Sequence, residues 1–141
     1  MKIGMPLATQ GLRIGLLGGS FDPPHSGHMH ISKWAIKEFS LDRIWWLVSP
    51  GNPLKKDAPA DLDRRLSACN KLVNHPKVIV TDLERVFKTR YTAQTLTTLK
   101  SQYRGVRFVW LMGADNLAEF HKWDRWQDIM HMLPVGVMAR P

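Results

Sequence analysis

The chain has 141 residues, 44% of them apolar and 23% charged, and a formal net charge of +8. That length and apolar fraction predict one domain with a buried core and exclude an intrinsically disordered chain. No stretch approaches the ~20 apolar residues of a membrane span, and a single cysteine excludes an internal disulfide.

Short apolar runs alternate with amphipathic helical patterns along the chain. Five strands are predicted at residues 14–17, 44–48, 78–80, 106–112 and 134–138. Helices are predicted near residue 28, Asp61, Thr92 and Trp126, and the last should bury Trp126, Ile129, Met130 and Leu133. Residues 1–12 have no long apolar core, so we expect a short N-terminal tail rather than a signal peptide. A single domain would then occupy residues 13–141.

Unbroken apolar strands that alternate with helices indicate the α/β class, with a parallel sheet covered on both faces. Right-handed crossovers between such strands give a Rossmann-like, doubly wound sheet of about five strands. Ligands bind these sheets beyond the carboxyl ends of the strands. The loops predicted at those ends are residues 18–28, 49–56, 82–92 and 113–123.

The first of these loops reads Gly-Gly-Ser-Phe-Asp-Pro-Pro-His-Ser-Gly-His over residues 18–28. Gly18 and Gly19 let the backbone approach an anion closely, and the N-terminus of the following helix attracts negative charge. His25 and His28 are three residues apart, so near the first turn of a helix both rings point to one side. The stretch therefore predicts a phosphate-binding turn that also carries two imidazoles.

Plainer interpretations of this stretch stay open. The glycines could form an ordinary strand-to-helix turn, and each histidine could be a surface residue. His25 and His28 could also bind zinc. However, the only cysteine, Cys69, lies in another predicted helix, where its spacing makes it a core residue, and no metal site is predicted. The stretch is not a Walker loop, because Gly-Lys-Ser/Thr is absent. The Gly-x-Gly-x-x-Gly pattern is absent too.

The positive charge indicates an anionic partner, either nucleic acid or a phosphorylated small molecule. The basic residues, Lys55, Arg64 and Arg65 among them, are scattered, and many fall on predicted outer helix faces, so most are expected to be solvated. No helix-turn-helix, zinc-finger or ribonucleoprotein motif is present. A basic nucleic-acid-binding module therefore remains only as the alternative from another class.

Together, the Gly-Gly-Ser-Phe-Asp-Pro and His-x-Gly-His patterns between a strand and a helix resemble the nucleotidyltransferase superfamily. Within that superfamily, the chain from about residue 12 to residue 141 most resembles the bacterial nicotinate-nucleotide adenylyltransferases. The resemblance implies adenylyl transfer from ATP to nicotinate mononucleotide, which gives deamido-NAD and pyrophosphate, with Mg²⁺ bound through the phosphates. The segments at Tyr91-Thr92 and Trp123 favour this family over phosphopantetheine adenylyltransferases and cytidylyltransferases, which share the first motif and remain the alternative.

The resemblance assigns the first and fourth loops to ATP. His28 is implied to stabilise the transition state, with His25 as the second catalytic residue. No general base is needed, because the attacking phosphate is already an anion and catalysis comes from alignment and charge stabilisation. The ATP-binding residues implied in this way are Gly18, Gly19, Ser20, Phe21, His25, His28, Gly113 and Asp115.

The nicotinate mononucleotide is assigned by the same resemblance to Ser20, Lys55, Thr92 and Trp123. Ser20 would donate a hydrogen bond to phosphate, and Lys55 would reach a phosphate as a point charge. Thr92 would lie near the nicotinate group, and Trp123 would stack on the pyridine ring. The plainer alternatives are an exposed loop lysine at Lys55, a simple N-cap at Thr92 and core packing for Trp123.

The last expectation concerns residues 139–141. The resemblance implies a further Ser/Thr-rich segment ending in Arg that closes over the ATP phosphates, and no Ser or Thr follows residue 112. We therefore expect a shortened form of a longer enzyme with weak or absent adenylyl transfer, or else a naturally short variant that uses its scattered arginines. The expected partners are small nucleotides without nucleic acid or membrane, in the cytoplasm, and a homo-oligomer stays open.

Overall fold

Residues 5–50 and 61–138 are described by a computed structural model and form a five-stranded sheet flanked by six helices. The strands are β1 (Arg13–Gly19), β2 (Arg43–Val48), β3 (Val78–Thr81), β4 (Arg107–Gly113) and β5 (Val135–Met138). The helices are α1 (Ser26–Glu38), α2 (Leu62–Leu72), α3 (Leu83–Phe87), α4 (Thr92–Gln102), α5 (Ala114–Phe120) and α6 (Trp126–Met132). Each strand overlaps its predicted run. The expectations for Lys55 and for residues 139–141 lie outside the described residues.

The sheet has the strand order β3-β2-β1-β4-β5, and every neighbouring pair is parallel, which confirms the predicted doubly wound fold. The chain moves from β1 outward through β2 and β3, then crosses to the other side of β1 with β4 and β5. The strand order thus reverses between β1 and β4, where doubly wound sheets bind their ligands. Leu17 of β1 pairs in register with Leu111 of β4, so the loops after both strands leave from the same edge.

Two cores lie on opposite faces of the sheet, because successive strand side chains point in opposite directions. In β2, Trp45 and Leu47 belong to one core, whereas Ile44, Trp46 and Val48 belong to the other. The first core is covered by α4 and α6 through Leu96, Leu99 and Ile129. The second core is covered by α1 and α2 through Met29, Ala35 and Cys69.

Two short helices were not predicted. Helices α3 and α5 lie inside the segments expected to be the third and fourth loops, and their 5 and 7 residues are too few to establish a periodic pattern. Ile129 of α6 and Leu133, directly after the helix, are buried as expected, but Met130 is 55% exposed, so its predicted place on the buried face is wrong. One residue along a helix turns the side chain by about 100°, which carries Met130 away from the face of Ile129.

Residues 5–12 lie against the turn between α4 and β4. The Tyr103 hydroxyl donates a hydrogen bond to the Pro6 carbonyl oxygen at 2.7 Å, and the Gly11 N–H donates to the Gly105 carbonyl oxygen at 2.8 Å. Side chains of this segment also pack on the first core, namely Met5, Ala8 and Leu12. The described part of the expected tail therefore contacts the domain. Across residues 5–50 and 61–138, none of the helices combines the length and apolar character that crossing a bilayer requires.

Candidate functional site

The turn after β1 is shaped by two aromatic rings. A Cβ added to Gly18 would lie 2.7 Å from the Cη2 atom of Trp110, which is closer than real Cβ atoms approach, so the ring from β4 requires glycine there. Phe21 has a positive φ of 51°, and its side chain is 2% exposed. Burial of that ring holds its backbone in the left-handed region, which a bulky residue rarely adopts. The turn is therefore fixed by packing as well as by its glycines.

Both predicted histidines cap the helix that follows the turn. His25 is the N-cap of α1, and its Nδ1 accepts a hydrogen bond from the Gly27 N–H at 3.1 Å. His28 lies in the first turn, and its Nδ1 accepts from the His25 N–H at 3.0 Å. These bonds assign the proton of each neutral ring to Nε2. Each imidazole thus stabilises the helix with one nitrogen and offers an N–H donor with the other.

His28 is held from β2 as well as from its own helix. It belongs to a cluster of four rings, with centroid distances of 4.0 Å between His25 and His28, 4.5 Å between His28 and Phe21, and 4.9 Å between Phe21 and Trp46. The Trp46 Nε1 donates to Ser32 Oγ at 2.8 Å, and Ser32 Oγ donates to the His28 carbonyl oxygen at 2.7 Å. Trp46 and Ser32 are fully buried, so this connection is rigid.

The His28 ring is uncharged at neutral pH. Burial, and then the nearby His25, lowers the pKa of His28 to about 4. A neutral ring whose Nδ1 is already engaged can act as a hydrogen-bond donor only through Nε2. Because an anion beside the ring favours its protonated form, the donor strengthens as negative charge develops next to it. His28 is therefore suited to a phosphate oxygen whose charge increases during a reaction.

A buried guanidinium joins this turn to the end of β2. Arg65 of α2 is 3% exposed, so the expectation that the basic residues are mostly solvated is wrong at this position. Its Nη1 donates to the carbonyl oxygens of Ser20 at 2.7 Å and Ser49 at 2.6 Å, and its Nη2 donates to that of Pro50 at 3.4 Å. The Ser20 side chain itself is exposed. The sequence held a signal for Arg65, because it precedes the buried Cys69 by four residues and so shares its helix face.

An ion-pair network anchors the segment after β3. Asp82 is 4% exposed, and its carboxylate lies 2.7 Å from Nη2 of Arg85. Nη1 of the same arginine lies 2.8 Å from the carboxylate of Asp63, in the first turn of α2. A buried carboxylate requires such a partner, and here the partner also ties α2 to α3.

Thr92 is the first residue of α4 and is half-buried, whereas Tyr91 occupies the N-cap position. The alternative that Thr92 is a simple N-cap is therefore wrong. The Gln94 side chain provides the reciprocal cap, since its Oε1 accepts from the Tyr91 N–H at 3.2 Å. The side-chain carbonyl of Gln94 thus caps the N-terminus of α4, where the sequence predicted the hydroxyl of Thr92.

In the fourth loop, Gly113 is the N-cap of α5, and Asp115 is exposed in the first turn of that helix. Trp123 is half-buried, and its ring meets Phe120 edge-on at 5.2 Å and Trp110 at 6.0 Å between centroids. The packing alternative therefore holds for part of the Trp123 ring.

Most of the predicted site residues come together at the reversal of the strand order. The stretch of residues 18–28 runs from the end of β1 into the first turn of α1, and Gly113 ends the adjacent β4. Trp110 lies between the turn and Trp123, which links the first and fourth loops. Thr92 lies farther along this edge, on the helix that follows the outermost strand β3.

The turn and α1 provide donors for an anion with several phosphates. Helix α1 is 13 residues long, so its N-terminus is a positive dipole end, and two Nε2–H donors lie beside it. Within the described ranges, no group of three or more His, Cys, Asp or Glu residues could hold a metal ion. The donors beside α1 match phosphate oxygens.

Comparisons with known proteins agree with this chemistry. The cytidylyltransferase-like family matches residues 16–141. A relative from Cereibacter sphaeroides named probable nicotinate-nucleotide adenylyltransferase is 66% identical over 128 residues, which cover 91% of this chain and 69% of the relative. One of the same name from Roseobacter denitrificans is 60% identical over 141 residues, covering 100% of this chain and 71% of the relative.

The fold has solved counterparts. The Plasmodium falciparum nicotinic acid mononucleotide adenylyltransferase complexed with NaAD superposes with a TM-score of 0.73 at 19% identity, over 92% of this chain and 76% of the other. At that identity the likeness concerns the fold alone.

Proposed function

Because the chain belongs to the nicotinate-nucleotide adenylyltransferase family, we propose that it transfers the adenylyl group of ATP to nicotinate mononucleotide in NAD biosynthesis. The products are deamido-NAD and pyrophosphate. The observation that carries the proposal for this chain is the pair of imidazoles, His25 and His28, that cap α1 and have their Nε2–H donors at its N-terminus.

The reaction needs charge stabilisation and alignment. A phosphate oxygen of nicotinate mononucleotide attacks the α-phosphorus of ATP, one P–O bond forms, and the bond from the α-phosphorus to the bridging oxygen breaks as pyrophosphate leaves. No proton has to be removed from the attacking anion. We assign His28 to donate from Nε2 to a phosphate oxygen as its charge develops, with His25 as the second donor.

The ATP side of the proposed site combines the first and fourth loops. The backbone of Gly18, Gly19 and Phe21 would border the triphosphate, because the turn after β1 comes close to α1 without an intervening side chain at either glycine. Gly113 and Asp115 would lie at the adenosine end, since β4 adjoins β1.

The pyridine-nucleotide side rests on Ser20, Thr92 and Trp123. Ser20 is exposed on the turn and would donate to a phosphate, and Trp123 would stack its accessible surface on the pyridine ring. Thr92 would contact the nicotinate group from the start of α4. Lys55 remains a prediction, because it lies outside the described residues.

We further propose that Mg²⁺ enters with the phosphates of ATP. The described side chains include no cluster of carboxylates, histidines or cysteines for a resident ion, so the phosphate oxygens would supply its ligands. The ion would neutralise phosphate charge when bound. Location in the cytoplasm, binding of small nucleotides in preference to nucleic acid, and assembly into a homo-oligomer remain predictions of the same kind.

A pyrophosphate-release assay tests the function. The chain is supplied with ATP and Mg²⁺ together with nicotinate mononucleotide, nicotinamide mononucleotide or phosphopantetheine, and calorimetry follows the binding of ATP and of each acceptor. We expect the highest pyrophosphate release and the tightest binding with nicotinate mononucleotide. Preference for phosphopantetheine would support the other branch of the superfamily, and no binding of ATP or of any acceptor would reject the proposal.

A further inference from the structure

The side chain of Arg65 connects two loops that approach the proposed ATP site. It reaches from the first turn of α2 to the carbonyl oxygens of Ser20, Ser49 and Pro50, at 2.7, 2.6 and 3.4 Å. Ser20 belongs to the turn after β1, whereas Ser49 and Pro50 begin the segment after β2. A second link runs between the same two segments, because the Ser49 N–H donates to the Gly19 carbonyl oxygen at 2.8 Å.

These contacts orient the peptide groups of the turn. A carbonyl group that accepts a hydrogen bond from Arg65 points toward the guanidinium, and α2 packs in the core on the second face of the sheet. Carbonyl oxygens repel phosphate oxygens, so a turn that binds an anion must direct them elsewhere. Arg65 draws the Ser20 and Ser49 oxygens inward, which keeps them away from an anion at the N-terminus of α1.

The planar guanidinium fork of an arginine fits this arrangement, with both short hydrogen bonds donated by Nη1 and the longer one by Nη2. A guanidinium presents donors in fixed planar directions and can reach several acceptors together, whereas a lysine ammonium is a compact charge on a flexible stem. At 3% exposure the Arg65 side chain has little freedom to reorient. Its helix is also held in place, since Asp63 in the same turn pairs with Arg85 of α3 at 2.8 Å.

We propose that Arg65 is a positioning residue for adenylyl transfer, holding the turn after β1 and the start of the segment after β2 in the conformation that binds the ATP phosphates. It acts through the backbone of Ser20 and Ser49 and does not itself touch the substrate. This inference rests on the proposed function, because ATP is the ligand whose phosphates the turn would bind.

Two substitutions separate the geometry of Arg65 from its charge. Arg65→Lys keeps the positive charge and removes the fork, and Arg65→Gln removes both. The matched control is Arg64→Lys, since Arg64 is the adjacent residue of α2 and is exposed. Calorimetry measures the Kd of ATP with Mg²⁺ for each protein well below its melting temperature, and NMR measures amide hydrogen exchange at Ser49 and, as a reference within β2, at Trp46.

We expect both Arg65 variants to bind ATP about 10- to 100-fold more weakly than wild type, which matches the loss of one or two hydrogen bonds from a charged donor. Exchange of the Ser49 amide should accelerate in both, while exchange at Trp46 should stay unchanged. Arg64→Lys should match wild type in both measurements. If Arg65→Gln does not fold, Arg65→Lys alone decides, because it conserves the charge and nearly the full length of the buried side chain.

Several results would overturn the proposal. Wild-type ATP affinity in Arg65→Lys would show that the fork is not needed, and a lower melting temperature with unchanged ATP affinity would make Arg65 structural only. Weaker ATP binding without faster Ser49 exchange would also reject it, because the effect would not pass through the turn. If the wild-type chain and Arg64→Lys fail to bind ATP, the proposed function itself fails, and this inference fails with it.

Discussion

The turn after β1 and the loops that carry Thr92 and Trp123 are built in different ways. In the turn, the hydrogen bonds that orient His25 and His28 span only two and three residues, and the helix they cap begins within the same stretch. Thr92 and Trp123 lie on separate loops, and only the packing of the sheet and its helices brings those loops to one edge. A site assembled from local contacts can be recognised from one stretch of sequence, whereas a site assembled across the fold cannot.

The largest expected effect tests the local region. His28→Ala should lower turnover by about 10²–10³-fold, as the loss of one preorganised donor does, while the fold stays intact. The measurement is pyrophosphate release at saturating ATP and nicotinate mononucleotide, with circular dichroism to verify folding. His25→Ala should cost no more than His28→Ala.

His30→Ala is the matched control, because His30 is exposed on the same helix, two residues further along. It should retain wild-type turnover. Near-normal turnover in His28→Ala would contradict the catalytic assignment and leave the two histidines as helix caps only.

The next effect tests the region assembled across the fold. Trp123→Ala should weaken the binding of nicotinate mononucleotide by about 1–3 kcal/mol, the range found for stacking of bases on aromatic side chains. ATP affinity should barely change. Calorimetric titration of both ligands measures the difference, with Trp34→Ala as the control, since Trp34 is 42% exposed on α1.

Trp123 also packs edge-on against Trp110 and Phe120, so its removal could loosen the fourth loop. Trp123→Phe retains an aromatic ring and should recover most of the lost affinity for nicotinate mononucleotide. An equal loss of affinity for ATP and for nicotinate mononucleotide would instead make Trp123 a structural residue.

The sequence was sufficient to predict the sheet, because each strand is an unbroken apolar run and such runs are typical of strands buried on both faces. It was sufficient for the glycine turn because every residue of the motif lies within one stretch. Helices α3 and α5 were missed, since elements of 5 and 7 residues show no reliable period. Met130 was misplaced because α6 completes only about two turns.

Arg65 shows why the other contacts around the candidate site could not be predicted from the sequence. Its spacing from Cys69 places it on a buried face, but the acceptors seen in the described residues are backbone carbonyl groups, which leave no trace in side-chain identities. The same holds for Gly18, whose need for glycine comes from Trp110 in a strand far along the chain. Such contacts depend on the completed fold, so one sequence cannot specify them.

The third prediction concerns the contribution to stability of the buried hydrogen bond between β2 and α1. Ser32→Ala removes the acceptor of the buried Trp46 Nε1 and should destabilise the protein by about 1–2 kcal/mol, the cost of leaving a buried donor without its partner. Urea unfolding measures the change. Ser101→Ala is the matched control, because its hydroxyl donates to the Thr98 carbonyl on the exposed side of α4, and it should change stability by less than about 0.5 kcal/mol. Equal effects of the two substitutions would mean that the hydrogen bond from Trp46 to Ser32 does not stabilise the fold.

The smallest expected effect is the pH dependence of folding stability that arises from His28. The pKa of His28 is lowered to about 4 in the folded chain by burial and then by His25, and it is about 6.5 in an unfolded chain. Between these values the unfolded chain binds more protons, so the stability due to neutral His28 is fully present above pH 6.5 and is lost as the pH falls toward 4. Because the ring is partly exposed, we expect a loss of about 1 kcal/mol, less than the full shift would give.

The measurement that isolates this loss is urea unfolding of wild type and His28→Gln at pH 7 and pH 4.5. Burial raises the pKa of Glu84 to about 7, which acts in the opposite direction but equally in both proteins, so the difference between them reports on His28. Wild type should lose stability relative to His28→Gln at the lower pH, whereas Trp123→Phe should follow wild type throughout. A parallel loss in wild type and His28→Gln would show that the ring is charged or fully solvated in the folded chain. The donor role assigned to its neutral form would then be wrong.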